Sequence, residues 1–205
     1  MRTTDPDVTQ SSRARFIAAA RELFLRHGYD GTSTAQIARE AGSAETQMIR
    51  LFGGKAGLLE AVFNESWKPL NEKLQALAAT ARTGREAILK VLSTMIAAFG
   101  SDPNLAFLML LEERRVRGDG REVAISRGLI EFSDLVESLI VRGQHDGSLA
   151  PALDHGALRS ALMGAAESMI RDRAIARREG RSAAFSRASI RTVFEFMLGG
   201  ISADS

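Results

Sequence analysis

The chain has 205 residues, 45% hydrophobic and 25% charged, with no cysteine, four prolines and a net charge of +2. The lack of cysteine excludes disulfides and thiolate chemistry, and no apolar run approaches the ~20 residues that span a bilayer. Bulk charge does not point to nucleic acid, so such a partner has to be argued from where individual cations sit.

Residues 1–8 read as a polar arm, and Met1–Asp5 lacks the apolar core of a signal peptide. A cytoplasmic location is expected. From Thr9 to His27 the spacing of Phe16, Ile17, Ala20, Leu23 and Phe24 predicts an amphipathic helix stopped by Gly28, with Tyr29 packing back onto it. Ser33-Thr34-Ala35-Gln36 fits a capping box that opens a short helix over 34–41, burying Ala35, Ile37, Ala38 and Ala41. Gly42 then makes a turn, and Ser43 is placed to cap a third helix over 44–52. On that helix Met48 and Phe52 face inward, while Thr46, Gln47 and Arg50 face outward.

Two short helices joined by a tight glycine turn and braced by a longer one are the form of a helix-turn-helix, which enters a DNA major groove. The outward residues suit that task. Arg50 can fork onto guanine or phosphate, Gln47 can pair with adenine, and the Thr46 methyl can touch thymine. Lys55, at the start of the next helix, sits where charge and backbone N–H groups together attract a phosphate.

The following helix carries Leu58, Leu59, Val62, Phe63, Trp67, Leu70, Leu74 and Leu77 to about Ala81, with a bend or interruption expected at Pro69. Further helices are predicted over 85–99, 104–116 and 121–143, the last with Val123, Ile125, Leu129, Phe132, Leu135, Val136, Leu139 and Ile140 inward. Gly118-Asp119-Gly120 turns the chain into it, and Glu112-Glu113-Arg114-Arg115 reads as a solvated charge run. Two more helices follow over 154–178 and 183–198. The last is apolar on two sides, Phe185, Val193, Phe196 and Met197 on one and Ile190 and Phe194 on the other. A helix with two apolar faces needs two neighbours, and a second copy of the chain is the economical choice for one of them.

The ordered set of Arg15, Ala19-Ala20, Leu23-Phe24, Gly28-Tyr29, Thr32-Ser33, Ile37-Ala38, Ala41-Gly42, Phe52 and Lys55-x-x-Leu58 resembles the tetracycline-repressor (TetR/AcrR-type) family of bacterial regulators. The likeness covers roughly 45 residues, and beyond Leu59 only the number and lengths of the helices agree with it. It implies an all-α protein of about nine helices: a helix-turn-helix head over 1–55 and a larger ligand-binding and dimerisation domain over 56–205. It also implies a homodimer, a double-stranded DNA operator, and a small-molecule effector of apolar or aromatic character that releases a repressor.

Carried over by position, Thr34, Ser43, Thr46, Gln47, Arg50 and Lys55 become the DNA-facing set. Phe63, Trp67, Met95, Phe99, Phe107, Met109 and Phe132 are the candidate ligand pocket. Leu158, Ala161, Leu162, Ala165, Ile190, Phe194 and Met197 are the candidate dimer interface, and Glu167 is placed to meet a cationic ligand or an arginine. The chain departs from the family pattern at Ile49 and Leu51, where hydrogen-bonding aromatics are common, at Thr46, often glycine, and at Glu45, where a cation is common.

No cofactor and no metal is expected. His145-Asp146 and Asp154-His155 flank a Gly/Pro loop without the spacing of a helical metal site, and there is no phosphate loop or nucleophile elbow. An enzyme is therefore disfavoured. A DNA-binding regulator governed by a protein partner, with no small ligand, stands as the alternative.

Overall fold

The computed structural model describes residues 6–116, 126–182 and 185–200. Among these the chain forms nine helices and no strand: α1 (Pro6–His27), α2 (Thr34–Glu40), α3 (Glu45–Phe52), α4 (Lys55–Ala79), α5 (Gly84–Ser101), α6 (Pro103–Val116), α7 (Arg127–His145), α8 (His155–Arg178) and α9 (Arg187–Gly199). The contacts divide the chain into two compact units, residues 1–66 and 67–205. The division falls inside α4.

In the first unit α1 packs on α2, and α2 on α3. Phe16, Phe24, Ile37 and Met48 are fully buried at its centre, with the small side chains of Ala19, Ala20, Ala38 and Ala41 filling between the helices. Three local expectations change. α1 begins at Pro6, not near Thr9, as proline is well suited to a first helical turn that needs no N–H. Ala35 is exposed, leaving Ile37, Ala38 and Ala41 as the buried side of α2. Ser43 does not cap α3, whose N-cap is Ala44 with no side-chain bond.

The reason for the last change lies in how α2 ends. Gly42 donates to the Arg39 carbonyl at 3.1 Å and Ser43 to the Ala38 carbonyl at 3.0 Å, the paired closure of a Schellman stop. Gly42 takes φ of 59°, a left-handed conformation in which a Cβ is strained. Ser43 is thus committed to closing α2, one residue too early to open α3.

The second unit is a helical bundle in which α5 packs against α6, α7, α8 and α9, with α7 and α6 also on α8. α4 runs unbroken through Pro69, contrary to the expected bend or interruption. Pro69 and Glu65, whose carbonyl loses its i+4 donor, are both exposed, so the loss occurs on the solvent side of the helix, where water can satisfy a carbonyl. The predicted start of α7 at 121 lies outside the described residues, as do the Gly118-Asp119-Gly120 turn, Val123 and Ile125. The helix that is described starts at Arg127, capped by Ser126, and runs on to His145. α9 starts at Arg187 with a Ser186 cap, four residues later than predicted, so Phe185 lies ahead of it. The side chains of Glu112–Arg115 lie outside the description.

Gly128 shows how tightly α7 sits. A Cβ there would lie 2.2 Å from the Trp67 Cβ, so only glycine admits this approach. Asn71 follows one turn along α4 and donates Nδ2 to the Gly128 carbonyl at 2.8 Å. Trp67 then stacks on Phe132 at 5.5 Å and meets Phe99 edge-on at 5.6 Å.

Candidate nucleic-acid interface and ligand cavity

The head is built by local bonds. The capping box forms as the sequence predicts, with Gln36 N–H donating to Ser33 Oγ at 3.2 Å and Ser33 N–H to Gln36 Oε1 at 2.7 Å. Tyr29 packs on Phe24 with ring centroids 5.4 Å apart. Thr32, which is buried, holds the preceding turn with its hydroxyl 2.7 Å from the Gly28 carbonyl and 3.3 Å from that of Leu23. Arg13 lies over the Phe52 ring at 5.0 Å, and Phe52 meets Phe16 edge-on at 6.1 Å, fixing the C-terminal end of α3 against α1.

With Met48 buried, the opposite side of α3 is bare. Thr46, Ile49, Arg50 and Gly53 are all exposed and fall at i, i+3, i+4 and i+7, one continuous stripe. Arg50 has no ion-pair partner among the described residues. Gln47 is half-buried at the edge of this stripe, where its Oε1 accepts from Ser43 Oγ at 2.9 Å.

The other sequence-derived positions are engaged inside the head. Lys55, the first residue of α4, donates Nζ to the carbonyls of Tyr29 at 2.8 Å and Thr32 at 2.9 Å and lies 4.2 Å from the centre of the Tyr29 ring. Two of its three donors are therefore used. The Thr34 hydroxyl donates to Glu45, which joins the first turn of α2 to that of α3. A carboxylate in the first turn of α3 also suits the positive end of the helix dipole, and this accounts for an acid where the family pattern favours a cation. Sequence reading missed this pair because its partners are eleven positions apart on separate helices.

The second unit holds an apolar cavity lined by Trp67, Met95, Met109, Leu129, Phe132, Met163 and Glu167, with about 350 Å³ of unfilled space including its mouth. Trp67, Met95, Met109 and Phe132 were expected there. Three other expected residues are not on its wall: Phe63 is buried within the first unit, Phe99 is held against Trp67, and Phe107 is half-buried elsewhere. Leu129 and Met163 were missed, because helical spacing does not tell which of several inward residues border a void.

On the outer faces of α8 and α9 the expected interface is partly wrong. Leu162, Ile190 and Phe194 are fully buried within the chain and cannot touch a second copy. Ala161 is exposed, Leu158, Ala165 and Met197 are half-buried, and Ile175, Val193 and Phe196 add exposed apolar surface that the candidate set omitted. Phe196, 82% exposed, is the most prominent.

The His/Asp pairs serve the fold. Asp154 caps α8 by accepting from Ala157 N–H at 2.7 Å, and His155 Nδ1 lies 2.8 Å from Glu137, which also takes Arg159. Asp146 accepts from Gly84 N–H at 2.7 Å at the start of α5. Partial burial works against ionisation of Asp146, but hydrogen bonds from Ser148 and Gly84 outweigh it and hold the carboxyl below the usual range. No cluster suited to a metal ion occurs among the described residues, nor does any single helix long and apolar enough to cross a membrane.

Comparison with known proteins agrees with this reading of the head. Residues 16–62 match the family described as bacterial regulatory proteins, tetR family. The fatty acid metabolism regulator protein of Bacillus subtilis (strain 168) is 24% identical over 156 residues, covering 76% of this chain and 80% of the regulator. Two solved structures share the fold. The fatty acid degradation regulator FadR from Bacillus halodurans has a TM-score of 0.76 at 22% identity, covering 92% of this chain and 98% of its own. The transcriptional regulator FadR from Bacillus subtilis in complex with stearoyl-CoA has a TM-score of 0.75 at 20% identity, covering 93% and 98%. All three of these relatives are regulators.

Proposed function

We propose that this chain, a member of the tetR family of bacterial regulatory proteins, is a dimeric, sequence-specific DNA-binding regulator acting in the cytoplasm. It is a repressor that an apolar small molecule releases from a palindromic operator. The observation that carries the reading is the bare stripe of α3, with Arg50 exposed beside Thr46 on a helix whose opposite face is pinned by Met48. Thr46, Gln47 and Arg50 supply base contacts. Lys55 has one remaining donor for a phosphate, while Thr34 and Ser43 act by holding α3 in place. Residues 1–55 form the DNA-binding domain and 56–205 the ligand-binding and dimerisation domain.

Two heads of a dimer read half-sites about 34 Å apart, one turn of the duplex. A ligand that prefers a dimer with another head spacing lowers DNA affinity by its differential affinity alone, and a coupling of ~1–3 kcal/mol changes binding ~5- to 150-fold. The effector chemistry favoured is an alkyl chain. Six of the seven cavity residues are apolar, and one solved relative is a complex with stearoyl-CoA. As it stands the enclosed space is too small for an alkyl chain, so the cavity has to open to admit one, and its three unbranched methionines can repack to allow it. Glu167 is a poor neighbour for an anionic head group, so the cavity suits the chain and not the head.

Selection of bound duplexes from a random library tests the function, with Arg50→Ala as the control. A palindromic site that Arg50→Ala fails to enrich is the expected result, and stearoyl-CoA should then lower occupancy of that site. No enriched site from a folded protein would refute a sequence reader. An enriched site indifferent to stearoyl-CoA and shorter acyl-CoAs would refute the alkyl effector.

A further inference from the structure

Resting on the reading that α3 enters a DNA groove, we propose that Ile49 is a specificity-determining residue that recognises the C5-methyl group of a thymine in the operator half-site. Ile49 is 50% exposed, and among the described residues of the first unit it is the one large aliphatic side chain left open to solvent. It lies in the middle of the bare stripe, between Thr46 at i−3 and Arg50 at i+1. An isoleucine has no hydrogen-bonding group, so it cannot hold a phosphate or fork onto a purine edge. The apolar feature on the floor of the major groove is the thymine methyl, and contact with it removes both apolar groups from water.

The position is also well prepared for such a contact. A β-branched side chain in a helix has one strongly preferred χ1 rotamer, so little freedom is lost on docking. The neighbouring Thr46 methyl extends the apolar surface along the same stripe, while Arg50 supplies a polar contact beside it. Ile49 thus gives α3 a methyl reader at a position where Gln47 and Arg50 cannot act.

The test starts from the duplex enriched by the wild-type protein. Each thymine of the half-site is replaced in turn by deoxyuridine, in both half-sites together, which removes only the methyl group. Binding is followed by fluorescence anisotropy for wild type, Ile49→Val and Ile49→Ala. Losing two buried methyl groups corresponds to a roughly fifteenfold loss of affinity. At one thymine position the wild type should show that loss, Ile49→Val a smaller one, and Ile49→Ala less than twofold. Thermal unfolding of all three proteins should coincide, since the side chain is outside the core. An enriched site with no methyl-sensitive position, or with sensitivity retained in Ile49→Ala, overturns the role of Ile49 and leaves DNA reading intact. Failure to enrich any site overturns both.

Discussion

Phe196 offers a direct test of the proposed dimer, because its neighbour Phe194 on the same helix provides an internal control. Phe196 is 82% exposed, and Phe194 is fully buried in the chain. On a side chain of about 200 Å², that exposure leaves about 160 Å² to be covered, worth about 4 kcal/mol at ~25 cal/mol per Å² if all of it is buried. Taking half of that for each of two copies, Phe196→Ala should weaken the dimer by about 4 kcal/mol, roughly a thousandfold in Kd. The same substitution should leave the stability of the separate chain within ~0.5 kcal/mol. Phe194→Ala should instead cost ~3–5 kcal/mol of chain stability by opening a cavity. Sedimentation equilibrium over a dilution series measures the first quantity, and urea unfolding at concentrations that dissociate the dimer measures the second. A Phe196→Ala protein that dimerises as tightly as wild type would refute the assignment of this face.

Other substitutions probe the scaffold that presents the sites. Lys55→Met removes two charge-assisted hydrogen bonds to the turn after α1, and urea unfolding should register a loss of about 1.5–3 kcal/mol per bond at most. An unchanged midpoint would mean that the ammonium does not brace the head. Gly128→Ala forces a Cβ to 2.2 Å from the Trp67 Cβ while Trp67 is stacked on Phe132. Overpacking of ~1–3 kcal/mol should lower Tm by about 2–12 °C, and a rise in Tm, as helix propensity alone predicts, would count against this tight crossing. Because the folded Asp146 carboxyl lies below the usual range, its contribution is complete above the ordinary carboxylate pKa of about 4 and is lost as pH falls through the folded value. Thermal unfolding between pH 6 and pH 2 should therefore show a steeper acid decline in wild type than in Asp146→Asn, and parallel curves would contradict the cap.

What the sequence made legible was mostly local. The capping box at Ser33 and Gln36, the glycine ends of α1 and α2 and the packing of Tyr29 on Phe24 all involve residues within a few positions of each other, so their physics is written in short segments. The misplaced cap of α3 shows the limit. Ser43 is a good capping residue, yet the closure of α2 consumes it, and only the joint geometry of both helices decides that. The Thr34–Glu45 link and the Lys55 clamp join segments far apart in sequence, and position along the chain alone made Thr34 and Lys55 look free for DNA. For α9, periodicity correctly predicted two apolar faces but could not say which one the chain itself covers. Ile190 and Phe194 turn inward, and Phe196 is left outside. Four of the cavity residues were visible as inward aromatics and methionines, whereas the void itself depends on how side chains from five helices meet.

In the dimer proposed above, two copies of α3 read one duplex in successive turns of the major groove. Hydroxyl-radical footprinting of the enriched duplex makes that arrangement visible. Two equal protected patches should appear, related by the dyad of the site and centred about 10–10.5 base pairs apart, and both should fade together with Arg50→Ala. A single patch, or two patches at a spacing that no whole number of duplex turns explains, would rule out two heads reading one duplex.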